Sequence, residues 1–427
     1  MKKSYGRINW KYEILDCQFF ADKKDEGLGK MSEKIAQRIQ SIPFSSIRKV
    51  FAKANEMEKQ GINITHMEIG RPDFDTPEHI KQAAIQAMQE GKVHYTPNSG
   101  ILPLREAIAK KLLRDNGLTV DPEKGIVAAV GCKEAVLDTI FAFIDPGDEV
   151  ILPDPSWLEY RYILTLAGGV PVPVPLKPEE GFLLNPDDVR NRITDKTKMI
   201  LLNSPHNPTG SVLPEAYLKE IASIAIEHDL LVLSDEIYEK LVYDGVKHVS
   251  IASIPGMFER TIVINGFSKA YAMDGWRLGY IAGDAKLIQP VLKVHQYNTS
   301  SATSFVQDGG TAAYLGSQQT VTDMVEAFDA RRKLVVKRLQ TMPGVDCVEP
   351  KGAFYVFPSF NSLKIPSKKL AELLLEKAHI ACVPGNAFGN SGEGFIRMAY
   401  STSYEQIEGA MDRLATFLEE TLNHISN

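Results

Sequence analysis

The chain has 427 residues, 44% of them hydrophobic and 24% charged, with a formal net charge of −6. A length beyond the ~250–300 residues at which a single core stops growing predicts two domains. The mild acidic excess gives no electrostatic footing for nucleic acid or an anionic membrane surface. Cys17, Cys132, Cys347 and Cys382 lie far apart, without a CxxC pair or a histidine cluster. That spacing argues against a zinc site or a disulfide scaffold and suits reduced thiols in a cytoplasm.

Residues 1–30 are polar and aperiodic apart from an apolar knot at Trp10, Tyr12, Ile14 and Leu15, and read as an N-terminal extension. The basic start Met1-Lys2-Lys3 is not followed by an apolar run of signal-peptide length, and no stretch reaches the ~18 apolar residues a membrane span requires. A soluble, unexported chain is expected. Met31 opens an amphipathic segment that runs through Ile47.

From Thr76 onward, apolar runs of strand length alternate with helical patterns. The predicted strands are 125–130, 149–152, 199–202, 230–233, 261–264 and 279–281. They are continuous β-branched and leucine runs without a polar face, as expected where helices cover both sides of a mostly parallel sheet. Ligands of such sheets bind beyond the carboxyl ends of the strands, so the Gly-, Pro-, Ser- and Asn-rich loops that follow each run are where chemistry is to be sought. After about residue 320 the pattern changes. A long helix around 331–339, a strand pair near 346–357, then helix, strand and helix predict a smaller α+β domain.

Three loops carry the chemistry-bearing residues. Gly266-Phe267-Ser268-Lys269 directly follows a predicted strand, and a lysine among small and apolar neighbours loses hydration, which lowers its pKa and frees the amine to attack an aldehyde. Arg277 follows it by eight positions. Ser204-Pro205-His206-Asn207-Pro208-Thr209-Gly210 and Leu233-Ser234-Asp235-Glu236-Ile237-Tyr238 close two further strands. Elsewhere, Gly131-Cys132-Lys133 sits between a strand and a helical pattern, where free N–H groups and the helix dipole favour a phosphate. Arg397 lies in the apolar run Phe395-Ile396-Arg397-Met398, where burial is costly without an anion. Read singly, each has a blander explanation: a solvated lysine, a Pro/Gly turn, a helix N-cap, a structural ion pair.

Together, in this order and spacing, these motifs resemble the class I/II aminotransferases of fold type I, the aspartate aminotransferase-like pyridoxal-phosphate enzymes, over about residues 31–418. The resemblance implies a large domain at 76–315 with a mostly parallel seven-stranded sheet, preceded by residues 31–75 as an arm and the N-terminal part of the small domain and followed by the C-terminal small domain at 316–427. It implies that Lys269 holds pyridoxal 5'-phosphate as a Schiff base and moves the substrate proton. Asp235 would pair with the pyridine nitrogen, and Asn207 and Tyr238 would donate to the phenolic oxygen. Gly131, Cys132 and Lys133, mainly through backbone, and Arg277 would hold the phosphate, while Trp157 would stack on the ring. Tyr95 would reach the phosphate of a neighbouring subunit, implying a homodimer with shared sites. Gly70 and Arg397, with Trp157 and Asn207, would bind the substrate; Arg71 would support the Gly70 loop.

The implied reaction is ping-pong transfer of an amino group between an L-amino acid and a 2-oxo acid such as 2-oxoglutarate. Lys133 stands where relatives have a lysine that reaches a distal carboxylate, which favours aspartate or glutamate. A cysteine-conjugate β-lyase or an oxidase would use the same residues, and a cofactor-binding sensor domain would need a DNA-binding module that residues 1–30 are too short to supply. Two departures from the family pattern stand out: Gly266 replaces a phosphate-binding serine, and Asp274 replaces a threonine and could pair with Arg277. No metal site is expected.

Overall fold

The computed structural model of the protein describes residues 34–426. The 1–30 extension and Cys17 lie outside the described residues. The expected amphipathic segment ending at Ile47 is not one helix. Gln37–Gln40 makes a helical turn and a separate helix runs over Ser46–Lys59. Pro43 lies between them, and a proline has no N–H to give and disfavours helical backbone in the residue before it.

Twelve strands are assigned among the described residues. After β1 (Thr65–His66) come β2 (Ile126–Ala129), β3 (Glu149–Asp154), β4 (Val170–Pro175), β5 (Thr197–Asn203), β6 (Leu231–Asp235), β7 (Thr261–Gly266) and β8 (Gly279–Ala282). These seven form one sheet in the order β2-β8-β7-β6-β5-β3-β4. Only β8 runs against its neighbours β2 and β7; the other pairings are parallel.

Successive residues of one strand enter different cores. Ile126 and Ala128 of β2 pack with Leu104 and Ile108 of the Leu102–Asn116 helix, whereas Val127 and Ala129 pack with Val136 and Ile140 of the Cys132–Phe143 helix. In β5, Ile200 and Leu202 face Ile221 and Ala225 of the Glu215–Glu227 helix, while Met199 and Leu201 join the Cys132–Phe143 side. With each buried aliphatic side chain contributing ~1.5–3 kcal/mol, both faces demand helices. The strands are therefore apolar throughout.

The β4 edge strand was not among the predicted strands. Its Val-Pro alternation leaves it half exposed, and it pairs only with β3, which is where prolines without an N–H can sit. The predicted strand pair near 346–357 is also different. Only β9 (Tyr355–Val356) is a strand, and Asp346 makes an isolated bridge to Ser359. The remaining strands are β10 (Ile380–Ala381), paired with β1, and β11 (Val383–Pro384) and β12 (Ile396–Ala399), which with β9 make a three-stranded antiparallel sheet. The helices Gln319–Gln340, Ser367–Lys377 and Tyr404–Ser426 pack around them in a core of their own through Phe328, Val335, Leu374, Met411 and Leu414. No helix among the described residues is long and apolar enough to cross a membrane.

Candidate active site

Five strand ends on one rim of the sheet carry the residues singled out from sequence. β2 ends before Gly131, β3 ends at Asp154 shortly before Trp157, β5 at Asn203, β6 at Asp235 and β7 at Gly266. Register places Asn203 directly beside Asp235. Asn203 ties the two loops together: its Nδ2 donates to the Asp235 carbonyl at 3.0 Å and its Oδ1 accepts from the Asn207 amide at 2.9 Å.

Lys269 is partly buried. Its ammonium lies 5.8 Å from the ring centre of Tyr238 and 5.7 Å from that of Phe354 and donates to the Gly70 carbonyl. Burial lowers its pKa to about 8, so about a tenth of it is the neutral, nucleophilic amine at pH 7, far more than for an ordinary lysine. The Tyr238 hydroxyl lies 2.8 Å from that of Tyr355. Burial holds both phenols above their ordinary pKa, and they act as donors and not as phenolates.

Asp235 is buried at the sheet end, and burial pushes its carboxyl up to about 6 against the hydrogen bonds that favour the anion. One of these comes from the Ile237 amide. Another, from the Tyr160 hydroxyl to Oδ2 at 2.6 Å, was not foreseen. Tyr160 stands three residues after Trp157, and their rings meet edge to face at 5.0 Å. That i,i+3 offset is the only signal the sequence offers for it.

Tyr160→Phe is expected to remove a charged-acceptor hydrogen bond of ~1.5–3 kcal/mol. With the carboxylate less well stabilised, the Asp235 pKa rises. The acid limb of the kcat/KM profile should then move to higher pH with the alkaline limb fixed, read by activity assays across pH. An unmoved acid limb would disconnect Tyr160 from Asp235.

At the other end, Gly131 (φ 80°) precedes the Cys132–Phe143 helix, whose start has no side-chain cap and whose first N–H groups lack an intrahelical partner. A Cβ on Gly131 would fall 2.5 Å from Nη2 of Arg277, so this glycine is what lets the guanidinium lie against the helix start. Arg277 itself adopts a left-handed backbone (φ 55°). The anticipated Asp274–Arg277 carboxylate pair is not formed; Arg277 Nη1 donates instead to the Asp274 carbonyl at 2.9 Å. The Asp274 charge acts on Lys269 and opposes the loss of its proton.

The Gly266 departure has a steric cause. A Cβ there would meet Gly279 Cα at 2.9 Å, the Leu278 carbonyl at 3.0 Å and Cys132 Sγ at 3.1 Å. A Cβ on Gly279 would in turn meet the Cys132 amide at 2.9 Å. Cys132 is a partly buried thiol with its pKa pushed well up by desolvation, consistent with a backbone role. The same loop is braced by Glu134, which accepts from the Val130 amide at 2.6 Å and lies 2.6 Å from His295 Nδ1.

Arg397 on β12 is 2% exposed and has no carboxylate within ion-pairing distance among the described residues. Its guanidinium is sandwiched between the rings of Tyr355 (4.7 Å) and Phe388 (4.9 Å). Nη1 donates to Asn207 Oδ1 at 3.3 Å, Nη2 donates to the Glu68 carbonyl, and Nε has no partner among the described residues. Burial lowers its pKa. The blander reading of a structural ion pair is therefore not met among the described residues, and a permanently charged buried fork is left facing the Asn207 loop. Gly70 permits this closure, since a Cβ would lie 1.9 Å from the Tyr355 hydroxyl. Tyr95 stands apart from the others, 93% exposed. Lys133 is ion-paired with Glu159 at 2.6 Å and lies 5.5 Å over the Trp157 ring.

A partly buried lysine of lowered pKa, a buried carboxylate, an arginine against a helix start and a second arginine without an ion-pair partner among the described residues are the chemistry-bearing groups of this site. The family model for aminotransferase class I and II matches residues 62–414. An aspartate aminotransferase of Pyrococcus abyssi is 47% identical over 388 residues, 90% of this chain and 98% of that protein. An aromatic-amino-acid aminotransferase 2 of Thermococcus litoralis is 44% identical, with the same coverage of both chains. Among solved structures, aspartate aminotransferase from Thermus thermophilus with maleate superposes with a TM-score of 0.86 at 41% identity, covering 90% of this chain and 99% of that one. The chain belongs to the class I and II aminotransferase family and is a transaminase.

Proposed function

We propose that the protein moves an amino group between an L-amino acid and 2-oxoglutarate with pyridoxal phosphate at the Lys269 site. Family members use this cofactor, and the residues present fit it. The cradle that a Cβ on Gly131 would fill suits a phosphate beside Arg277, and the buried Asp235 carboxylate suits a protonated ring nitrogen. When bound, pyridoxal phosphate supplies an aldehyde for the amino group and a ring that accepts the electrons of the Cα–H bond.

In this reading the chain's residues divide the work. Gly131, Cys132 and Lys133 hold the phosphate through their N–H groups and Arg277 through its fork. Asp235, supported by Tyr160, keeps a proton on the ring nitrogen, Asn207 and Tyr238 donate to the phenolic oxygen, and Trp157 covers one face of the ring. Arg397, with Asn207 and the Gly70 loop, grips the substrate α-carboxylate; its burial without a carboxylate partner is the observation that carries the proposal. The Lys269 amine, with its pKa near 8, takes the proton from Cα and returns it as a general acid.

The homodimer, the cytoplasmic setting and the division into an arm and N-terminal part of the small domain at 31–75, a large domain at 76–315 and the C-terminal small domain at 316–427 belong to the same proposal. Tyr95, exposed on the single chain, is available to a neighbouring copy's phosphate site. The free thiols Cys132, Cys347 and Cys382 suit a reducing compartment. Aspartate and glutamate, suggested by Lys133 and by the relatives' names, are the first amino acids to try.

The purified protein with pyridoxal phosphate should show a visible band that bleaches with L-glutamate and returns with 2-oxoglutarate. A protein that takes up no cofactor would overturn the proposal. Release of ammonia from a single amino acid without an acceptor would replace it by the lyase reading.

A further inference from the structure

Glu159 is an acidic side chain on the Trp157 wall that the proposed chemistry leaves without a task. It lies in the first turn of the Leu158–Ala167 helix, while Lys133 lies in the first turn of the Cys132–Phe143 helix. Oε1 accepts from Lys133 Nζ at 2.6 Å, but Oε2 is buried and has no hydrogen-bond partner among the described residues. The Lys133 side chain is 54% exposed and that of Glu159 23%, and an ion pair this wet adds little stability. A buried carboxylate oxygen without a donor is costly, so stability does not account for the arrangement.

Its charge reaches the substrate side. Glu159 is among the groups acting on both Arg397 and Tyr355, the cation that would hold the α-carboxylate and the phenol packed against it. Lys133, the cation expected to favour a second carboxylate, is already ion-paired with Glu159, so its charge is offset before such a substrate arrives.

We propose that Glu159 is a specificity-determining residue: it neutralises Lys133, works against substrates with a distal carboxylate, and offers Oε2 to side chains that end in a hydrogen-bond donor, such as an amide or a phenol. This rests on the transaminase site described above and refines its substrate class. Aspartate and glutamate remain substrates, but against a built-in counter-charge.

The test compares wild type with Glu159→Gln, which keeps the side chain's shape, both as holoenzyme. Two probes are bound: maleate, with two carboxylates, and 3-phenylpropionate, with one. Removing the charge should tighten maleate about tenfold, the equivalent of one partly screened charge contact, with 3-phenylpropionate unchanged. In turnover, kcat/KM for L-glutamate should rise relative to L-glutamine and L-tyrosine, mostly through KM. Maleate and 3-phenylpropionate moving together, or neither moving, would overturn the assignment. If no amino acid is turned over, the functional reading fails, while the maleate contrast still decides the role of Glu159.

Discussion

Replacing Lys269 by alanine is expected to lower kcat for amino-group exchange between glutamate and 2-oxoglutarate by ~10²–10⁴-fold, the usual contribution of a positioned acid–base group. Loss of covalent attachment adds to the deficit. The amine is placed for this task by the end of β7, by its aromatic surroundings and by the Gly70 carbonyl, and burial sets its pKa close to the working pH. Cofactor should still bind, because Arg277 and the helix start are untouched, but borohydride should no longer fix it to the chain. Steady-state assays and mass spectrometry after reduction read the two effects separately. A variant turning over within tenfold of wild type would remove Lys269 from the chemistry.

Arg397→Ala is expected to cost ~2–5 kcal/mol in kcat/KM, the range for truncating one side of a buried, hydrogen-bonded charge pair. The loss should appear first in KM for both the amino acid and the 2-oxo acid, since both present a carboxylate. Arg397→Lys should recover only part of it, because an ammonium cannot form the two-toothed pair. Stability should move the other way. The guanidinium is buried without an anionic partner, so Arg397→Met should hold or raise the thermal midpoint of the ligand-free protein. An unchanged KM, or a sharp fall in the midpoint, would return Arg397 to a structural role.

The two faces of the sheet were legible because each strand must bury both sides, which leaves unbroken apolar runs. β4 was not legible for the opposite reason: at the edge, one side is wet and alternate prolines are tolerated. The motif residues on five strand ends could be found one loop at a time, since each loop is local in sequence. What the sequence withheld were relations across loops. Asn203 joining Asn207 to Asp235, Tyr160 supporting Asp235 and Glu159 holding Lys133 each depend on the register of strands far apart in the chain. The isolation of Arg397 was equally hidden, because a sequence cannot say which carboxylates stay away.

The glycines at 131, 266 and 279 bear on how the protein can change over generations. Their neighbours leave no room for a Cβ, so every possible replacement adds bulk where main chain meets main chain or where Arg277 lies. In this packing a change at one of the three requires its neighbours to shift with it. The wall bearing Lys133 and Glu159 is partly wet and free of such crowding, so a library meant to redirect the protein toward new amino acids is best spent there.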